Sequence, residues 1–168
     1  ILSDVKTFFN QGLKLIKRHP LLADNSIGAN EMMVYAMHSM EDCDLILQSF
    51  STSPLLKIET IDKCIENFIN NGYPDHDSFF TVLDTQEYFW ENGQPQNFST
   101  QELPNSFELN KIQMETHGLY GITTESLLKN KTRVGKNPML INIPKIESID
   151  VNNKEDIDIV ERLLSVTK

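Results

Sequence analysis

Apolar residues along the chain alternate between the spacing of strands and the spacing of helices. Residues 13–17 form a short apolar run that predicts a strand, and from residue 30 onward methionine and alanine recur every three or four positions, as on one face of a helix. Residues 44–50 carry a continuous apolar centre, which predicts a strand buried on both faces. An opening helix over residues 2–9 is also expected, because its apolar side chains share one face and Gly12 follows as a stop.

The same alternation continues through the second half of the chain. Isoleucines line one side of a predicted helix from residue 58 to Gly72, and an apolar strand follows at residues 79–83. The remaining predicted elements are a strand at 118–122, a short helix near 126–129, a strand at 139–143 and a last helix from residue 153. This order predicts an α/β fold with a largely parallel mixed sheet.

Residues 85–117 interrupt the alternation. They combine glycine, proline and polar clusters with an aromatic run at residues 88–90, which predicts an irregular hairpin excursion from the sheet. Excursions of this length often carry function. A hydrophobic content of 39% over 168 residues is ordinary for one compact domain, so we expect a single domain over residues 1–168.

The charge of the chain limits its partners. Lys and Arg number 15 against 24 Asp and Glu, for a net charge of -9, and no stretch concentrates basic residues as contact with a phosphate backbone requires. Nucleic acid is therefore not an expected partner. A single nucleotide is still compatible with this charge, because a divalent metal offsets phosphate charge and backbone N–H groups bind phosphate.

Cysteine usage and hydropathy favour a cytoplasmic protein. Cys43 and Cys64 lie in different predicted elements and lack the spacing of a metal site or a disulfide framework, which favours a reducing compartment. No apolar run reaches the length of a membrane span, and the amino end lacks the long apolar stretch of a signal peptide. We expect no membrane partner.

The first segment that suggests chemistry is residues 48–56, where a buried strand ends in hydroxyl residues and a proline. Ligands of open α/β sheets bind outside the carboxyl ends of the strands, and hydroxyl side chains such as Thr52 and Ser53 suit phosphate, ribose or base edges. A Ser/Thr turn that leads into a helix explains the same residues without a ligand. The segment alone leaves both interpretations open.

The second segment is residues 146–152, which precede the last predicted helix. Asp150 and Asn152 alternate on one face of a predicted strand, and two oxygen ligands at this spacing can hold Mg²⁺, which takes the rest of its shell from water and substrate phosphates. The alternative is a strand-to-helix turn in which Asn153 caps the helix and acidic residues occupy its first turn. Both interpretations stay open here.

Taken in order, these two segments and four others form a pattern that no single one carries. They are Arg18-His19-Pro20 with Leu22-Ala23-Asp24, Thr52-Ser53-Pro54-Leu55, Trp90 before a glycine turn, Gln101-x-Leu103-Pro104, Glu115-Thr116-His117-Gly118-Leu119-Tyr120 and Ser148-Ile149-Asp150-Val151-Asn152. This ordered set resembles the CMP-sugar synthetases, the acylneuraminate and 3-deoxy-octulosonate cytidylyltransferases, essentially from one end of the chain to the other.

The resemblance implies a fold, a function, a cofactor and a set of site residues. The fold is a three-layer Rossmann-like nucleotidyltransferase fold, and relatives form homodimers through the excursion. Such enzymes transfer CMP from CTP to the anomeric hydroxyl of a 2-keto-3-deoxy sugar acid, release pyrophosphate and require Mg²⁺. By this likeness Asp150 would coordinate Mg²⁺ and help the sugar hydroxyl to attack, with Asn152 as the second metal ligand. The substrate-binding residues would be Arg18, Gln48, Thr52, Ser53 and Glu115.

The chain departs from this family in three places. Asn152 stands where relatives usually carry a second aspartate, which weakens the attraction for a metal and removes a base. Residues 85–110 contain no Lys or Arg, although relatives that use sialic acid grip its carboxylate from the excursion, so the sugar is not specified. Arg133 or Lys136 can substitute from a different loop, unless both belong to a solvated turn. The family's first strand and its Arg-Gly-Gly-Ser-type triphosphate loop do not precede Ile1, so we expect a domain that lacks them.

Other functions stay open at this point. A non-catalytic nucleotide-binding or assembly module of the same fold would explain Asn152 and the missing loop. A glycosyltransferase or another nucleotidyltransferase with a similar sheet is a third hypothesis, because a fold does not fix a function. We expect His117 to be a turn or pocket-wall residue and Trp90 a packing residue, both outside the catalytic set.

Overall fold

The structure is a computed structural model that describes residues 2–3, 16–24, 26–40 and 42–166. Its strands are β1 (Leu2–Ser3), β2 (Ile16–Lys17), β3 (Leu45–Ser49), β4 (Ser78–Thr85), β5 (Trp90–Glu91), β6 (Gln94–Pro95), β7 (Ile112–Thr123) and β8 (Pro138–Asn142). Its α-helices are α1 (Ala29–Met37), α2 (Ile58–Asn67), α3 (Thr124–Asn130) and α4 (Lys154–Val166). Short 3-10 turns lie at Pro20–Ala23, Ser106–Glu108 and Lys145–Ser148, and a π-helical turn at Phe68–Gly72 continues α2.

A mixed sheet lies at the centre of the fold, with the strand order β3-β7-β4-β8. β7 is antiparallel to both of its neighbours, and β4 is parallel to β8, so β3, β4 and β8 run in one direction and β7 runs in the other. The prediction of an α/β fold with a mixed sheet, largely parallel in strand direction, is confirmed.

Helices cover the two faces of this sheet, because successive side chains of a strand point to opposite faces. One core packs α2 against the sheet through Cys64, Phe68, Phe79, Leu119 and Ile143. The other packs α1 and α3 against it through Met33, Ile46, Ile122 and Leu127. Packing is close on the first face, where a Cβ added to Gly121 would stand 2.1 Å from Cε1 of Phe79, so only glycine fits.

Residues 86–111 leave the sheet and form the predicted excursion. A hairpin of β5 and β6 turns at Asn92 and Gly93, which take positive φ values of 50° and 77°. Phe98 packs against Trp90 and Tyr88, with ring centroids 5.2 and 4.9 Å away. The excursion therefore carries its own aromatic cluster.

Four local predictions are wrong. Leu2 lies in a strand paired with Ile16 rather than in a helix, while residues 4–15, which carry the rest of that predicted helix, lie outside the described residues. β3 is an edge strand whose Leu47 is exposed, so it is not buried on both faces. β7 begins at Ile112, so the excursion is shorter than predicted. Residues 149–152 form no strand in the described part of the chain.

Within the described ranges, no helix combines the length and the apolar content that crossing a membrane requires.

Candidate functional site

Two of the segments singled out in the sequence meet at the carboxyl edge of the sheet. The chain leaves β3 at Ser49 and turns at once, with Ser53 N donating to Phe50 O at 3.1 Å. Val151 N donates to Thr52 O at 2.7 Å, which ties the segment after β8 to this turn. Thr52, Ser53 and Asp150, predicted separately as site residues, are therefore neighbours.

Buried polar atoms at this edge lack protein partners. Gln48 Oε1, Ser53 Oγ and Asp150 Oδ1 are buried, and none accepts or donates a hydrogen bond among the residues that the structure describes. A buried polar group left unpaired costs about 1–3 kcal/mol, and native proteins rarely tolerate one without water, an ion or a ligand. Three such atoms on neighbouring segments make this edge the candidate ligand site.

The backbone around Asp150 is fixed from both sides. Before it, Glu147 is buried in a 3-10 turn and accepts from Lys57 N, at the start of α2, at 3.1 Å. After it, Asp156 Oδ2 accepts from the backbone N–H groups of Asn152 and Asn153 at 2.9 and 3.1 Å. Asn153 Oδ1 accepts in return from Asp156 N at 3.1 Å. The predicted cap at Asn153 is confirmed, and the predicted strand at this position is wrong because the cap and the turn fix the backbone instead.

Asp150 and Asn152 lie close enough together to share an ion. Asn152 Nδ2 donates to Asp150 Oδ2 at 3.1 Å, and Asp150 Oδ1 keeps its unpaired, buried position. No group of three or more His, Cys, Asp or Glu side chains with metal-site geometry occurs in the described part of the structure. Mg²⁺ needs only one or two carboxylates when phosphates and water complete its shell, so these two residues fit it once the Asn152 amide turns its oxygen inward.

A bulge in β7 shapes the next part of the site. Phe80 faces Tyr120 and Val82 faces Glu115, so Thr81 alone stands opposite the β7 bulge, residues 116–119. The hydroxyl of Thr81 lies 2.7 Å from that of Thr116 and accepts from Leu119 N at 3.2 Å, which holds the extra residues in place. Bulges of this kind occur next to active sites, where they redirect side chains.

His117 lies inside the β7 bulge with φ 56°, a left-handed conformation that costs a non-glycine residue energy. Its Nε2 stands 3.8 Å from Glu115 Oε1. The prediction that His117 is a turn residue fits this backbone.

A half-buried ionic group, the Arg133 cluster, consists of Glu115, Tyr120, Arg133 and Phe50. Arg133 Nη2 donates to Glu115 Oε1 at 3.3 Å and to the Tyr120 hydroxyl at 3.0 Å, and Tyr120 also donates to Glu115. The guanidinium carbon stacks 4.0 Å from the Tyr120 ring centre and 5.7 Å from that of Phe50. Burial, assisted by the hydrogen bond to Glu115, raises the pKa of Tyr120. The shift favours the protonated phenol, which donates to Glu115.

The Arg133 cluster adjoins Asp150 and Gln48. Burial and Glu115 raise the pKa of Tyr120 most, the charge of Asp150 raises it least, and the charge of Arg133 acts in the opposite direction. Gln48 pairs with Tyr120 across β3 and β7, so the two side chains share one sheet face. Glu115, predicted as a site residue, is therefore the hydrogen-bond partner of a tyrosine that lies within range of the charge of Asp150.

The loop that carries Arg133 is anchored far from this edge. Arg133 N donates to Asn30 Oδ1 on α1 at 2.8 Å. Lys136 N and Asn137 N donate to Asp77, just before β4, at 2.9 and 3.1 Å. Of the two basic residues considered as substitutes, Arg133 contacts Glu115 and Tyr120, while the backbone of Lys136 lies at the amino edge of the sheet.

Asp77 is the hub of that opposite edge. Besides the two backbone donors, it accepts from Ser126 Oγ at 2.8 Å and from Ser78 Oγ at 3.2 Å. Burial acts to raise the pKa of Asp77, but these hydrogen bonds outweigh burial and hold its pKa below the usual value. A Cβ added to Gly135 would stand 2.1 Å from Asp77 Oδ1, so the loop needs glycine there.

Arg18 follows β2 and is half-buried. Tyr35 of α1 donates its hydroxyl proton to Lys17 O at 3.0 Å, so the Arg18 segment lies beside the helix that also binds the Arg133 loop.

The sequence did not predict that Tyr120 and Phe50 pack against Arg133. The signal was present for Tyr120 alone, as the last residue of the motif at 115–120.

Comparison with known proteins bears on the fold. No family model and no curated protein matches the chain. Among solved structures, the chain is similar to 4-diphosphocytidyl-2C-methyl-D-erythritol synthase from Anaerococcus prevotii DSM 20548, with a TM-score of 0.54 and 11% sequence identity over 82% of this chain and 67% of that one. At this identity the likeness shows a shared fold, a mixed-sheet α/β architecture.

Proposed function

We propose that this protein is a cytidylyltransferase that transfers CMP from CTP to a 2-keto-3-deoxy sugar acid and releases pyrophosphate. The observation that carries the proposal is the set of buried, unpaired polar atoms on Gln48, Ser53 and Asp150, found among the described residues at the carboxyl edge of the sheet. In open α/β sheets this edge is where ligands bind. The fold shared with a synthase whose name contains a cytidyl group supports the choice of nucleotide.

The turn after β3 suits the nucleotide. Ser53 offers a buried hydroxyl and Gln48 a buried carbonyl oxygen, both without a protein partner in the ranges described, and Thr52 is exposed beside them. Gln48 Oε1 accepts, and a hydroxyl both donates and accepts, so the pair can bind the amino and hydroxyl groups of a cytidine. Thr52 and Ser53 would line the nucleotide and sugar pocket.

The reaction is a substitution at the α-phosphorus. The sugar hydroxyl oxygen forms a bond to that phosphorus, the bond to the bridging oxygen breaks, and pyrophosphate leaves with the electron pair. Asp150 accepts the hydroxyl proton and passes it to solvent, and catalysis rests mostly on positioning and charge neutralisation. Mg²⁺, held by Asp150 and Asn152, would supply neutralising charge for the phosphates.

Two further parts of the proposal concern assembly and location. Trp90, Leu103 and Phe107 of the excursion are exposed apolar side chains, which supports a homodimer formed through this region. Comparing the sedimentation of the native protein with that of a Phe107→Glu variant tests the dimer, which the added charge should weaken.

The thiols of Cys43 and Cys64 are free, and Cys43 is exposed, which supports a reducing cytoplasm.

The decisive experiment for the reaction measures pyrophosphate release by the protein as its gene encodes it. CTP, UTP and ATP are each offered with a panel of 2-keto-3-deoxy sugar acids in the presence of Mg²⁺. We expect release that requires both CTP and one of the acids. Absence of release across the whole panel, or equal release with all three nucleotides, contradicts the proposal.

A non-catalytic nucleotide-binding or assembly module of the same fold is the second candidate. The observation that favours it is Asn152, a neutral amide where the family resemblance implies a carboxylate. Calorimetric titration with CTP, together with the pyrophosphate assay, separates the enzyme from the module. CTP binding without any pyrophosphate release supports the module. If the protein is instead a weakened enzyme, Asn152→Asp should raise turnover.

A further inference from the structure

An acidic acceptor needs a cationic partner, and the excursion does not supply one. Residues 85–110 contain four glutamates and no Lys or Arg, so this segment repels a carboxylate. A carboxylate that enters the site must therefore be recognised from another element.

Arg133 has the geometry for that task. Both hydrogen bonds of its side chain to described residues use Nη2, which leaves the two N–H donors of Nη1 for an anion. The ring of Tyr120, 4.0 Å from the guanidinium carbon, and the carboxylate of Glu115 fix the orientation of the group. The side chain is 21% exposed, so it is ordered by its neighbours yet reachable from solvent. An oriented guanidinium loses little freedom on binding, which favours a planar carboxylate over a spherical ion.

We propose that Arg133 recognises the carboxylate of the acceptor and thereby selects acidic over neutral sugars. The inference rests on the proposed function and names the residue responsible for its substrate class. Glu115 and Tyr120 act as positioning residues, because both bind Nη2 of Arg133 and so orient its guanidinium. The cluster lies on the same sheet face as Gln48 and includes Phe50, the first residue after β3, so an acceptor held by Arg133 stands close to the proposed nucleotide site.

The test compares Arg133→Gln and Arg133→Lys with Lys136→Gln, which removes a charge from the same loop at the opposite edge of the sheet. We expect Arg133→Gln to raise the KM for the acid about 10–100-fold and to leave the KM for CTP unchanged, since a hydrogen bond to a charged group contributes that much. Arg133→Lys, which keeps the charge but not the planar fork, should fall between. Lys136→Gln should match the native protein.

A neutral acceptor provides the specificity readout. The same sugar with its carboxylate converted to an amide should be a poor acceptor for the native protein, and Arg133→Gln should narrow the difference between acid and amide. If Arg133→Gln raises the KM for CTP as much as the KM for the acid, Arg133 belongs to the site of the CTP phosphates and the inference is overturned. An unchanged KM for the acid also overturns it.

Direct binding keeps this inference separable from the proposed function. Calorimetric titration of the acid into the native protein and into Arg133→Gln needs no turnover. If the native protein binds the acid and the variant does not, the assignment of Arg133 to the carboxylate is upheld even when no pyrophosphate is released. If both bind it equally, or neither does, the inference is wrong, whatever the transferase assay shows. Thermal melting confirms that each variant is folded.

Discussion

The two edges of the central sheet treat buried polar groups in opposite ways. At the amino edge, Ser78 is fully buried, and its hydroxyl accepts from Gly135 N at 2.9 Å and donates to Asp77. At the carboxyl edge, Ser53 is also buried, yet its hydroxyl has no partner in the described ranges. A buried serine hydroxyl therefore has hydrogen-bond partners at one edge and none among the described residues at the other.

Under the proposed function, this difference assigns stability to the amino edge of the sheet and ligand binding to the carboxyl edge. Asp77 ties the loop before β8 to the start of β4, and each of its hydrogen bonds lowers the free energy of the folded state. Asp150 keeps a buried oxygen unpaired, which raises that free energy unless something else binds it. Variants at the two edges should therefore affect different measurements.

The largest effect is expected at Asp150. Replacing it with Ala removes the proposed metal ligand and proton acceptor, so kcat should fall about 10²–10⁴-fold, while the midpoint of thermal unfolding stays level or rises. Asn152→Ala is the matched control and should lower kcat far less. Equal losses in the two variants would refute the assignment of Asp150.

The next effect is on stability, at the opposite edge. Asp77→Ala leaves Ser126 Oγ and two backbone N–H groups without their acceptor, so the free energy of unfolding should fall by about 2 kcal/mol. Urea denaturation measures it, and Asp75→Ala, which removes an exposed carboxylate two residues away, should change it by no more than about 0.5 kcal/mol. If Asp77→Ala also changed the affinity for CTP, the two edges would not differ in function as described.

The serine pair gives a smaller and sharper comparison. Ser78→Ala breaks two hydrogen bonds in the core and should lower the free energy of unfolding by about 1–2 kcal/mol. Ser53→Ala removes an unpaired hydroxyl, so stability should hold or rise, while the KM for CTP should increase several-fold. If Ser53→Ala destabilises the protein as much as Ser78→Ala, then Ser53 belongs to the structural framework.

The smallest expected effect is on the pH dependence of stability. Because the pKa of Asp77 is lower in the folded protein than in the unfolded chain, its ionised form stabilises the fold above the unfolded pKa of about 3.9. That contribution is lost as the pH falls through the folded pKa. Asp77→Asn should therefore lose less stability than the native protein between pH 5 and pH 3, to be measured by urea denaturation at about half-unit steps. An identical acid dependence would show that another group controls it.

Much of the fold follows from local pattern. The helical spacing of methionine and alanine locates α1, and Gly72 ends the α2 segment where predicted. The start of β7 was missed because its first residues include polar ones such as Gln113 and Glu115. They pair with the last residues of β4, at the carboxyl edge of the sheet, where burial does not impose apolar alternation. The strand expected at Asp150 failed because a 3-10 turn and the Asn153 cap compete with pairing.

The site was predictable only in its local parts. The hydroxyl turn at Thr52 and Ser53 and the Asp150 segment each showed a pattern, and the structure joins them. Arg133 had no such pattern, since a basic residue in a turn is usually solvated. Its place depends on contacts with Asn30 and Glu115, which are distant in the sequence, and on the β7 bulge. Tertiary packing alone reveals that contribution.

The most direct test of the carboxyl-edge site is a crystal structure of the protein with Mg²⁺ and a non-hydrolysable CTP analogue. The nucleotide should lie across the turn after β3, with hydrogen bonds to Gln48 and Ser53 and with its α-phosphate and the ion beside Asp150. A nucleotide bound at any other surface, with these three side chains still lacking a ligand, would contradict the account.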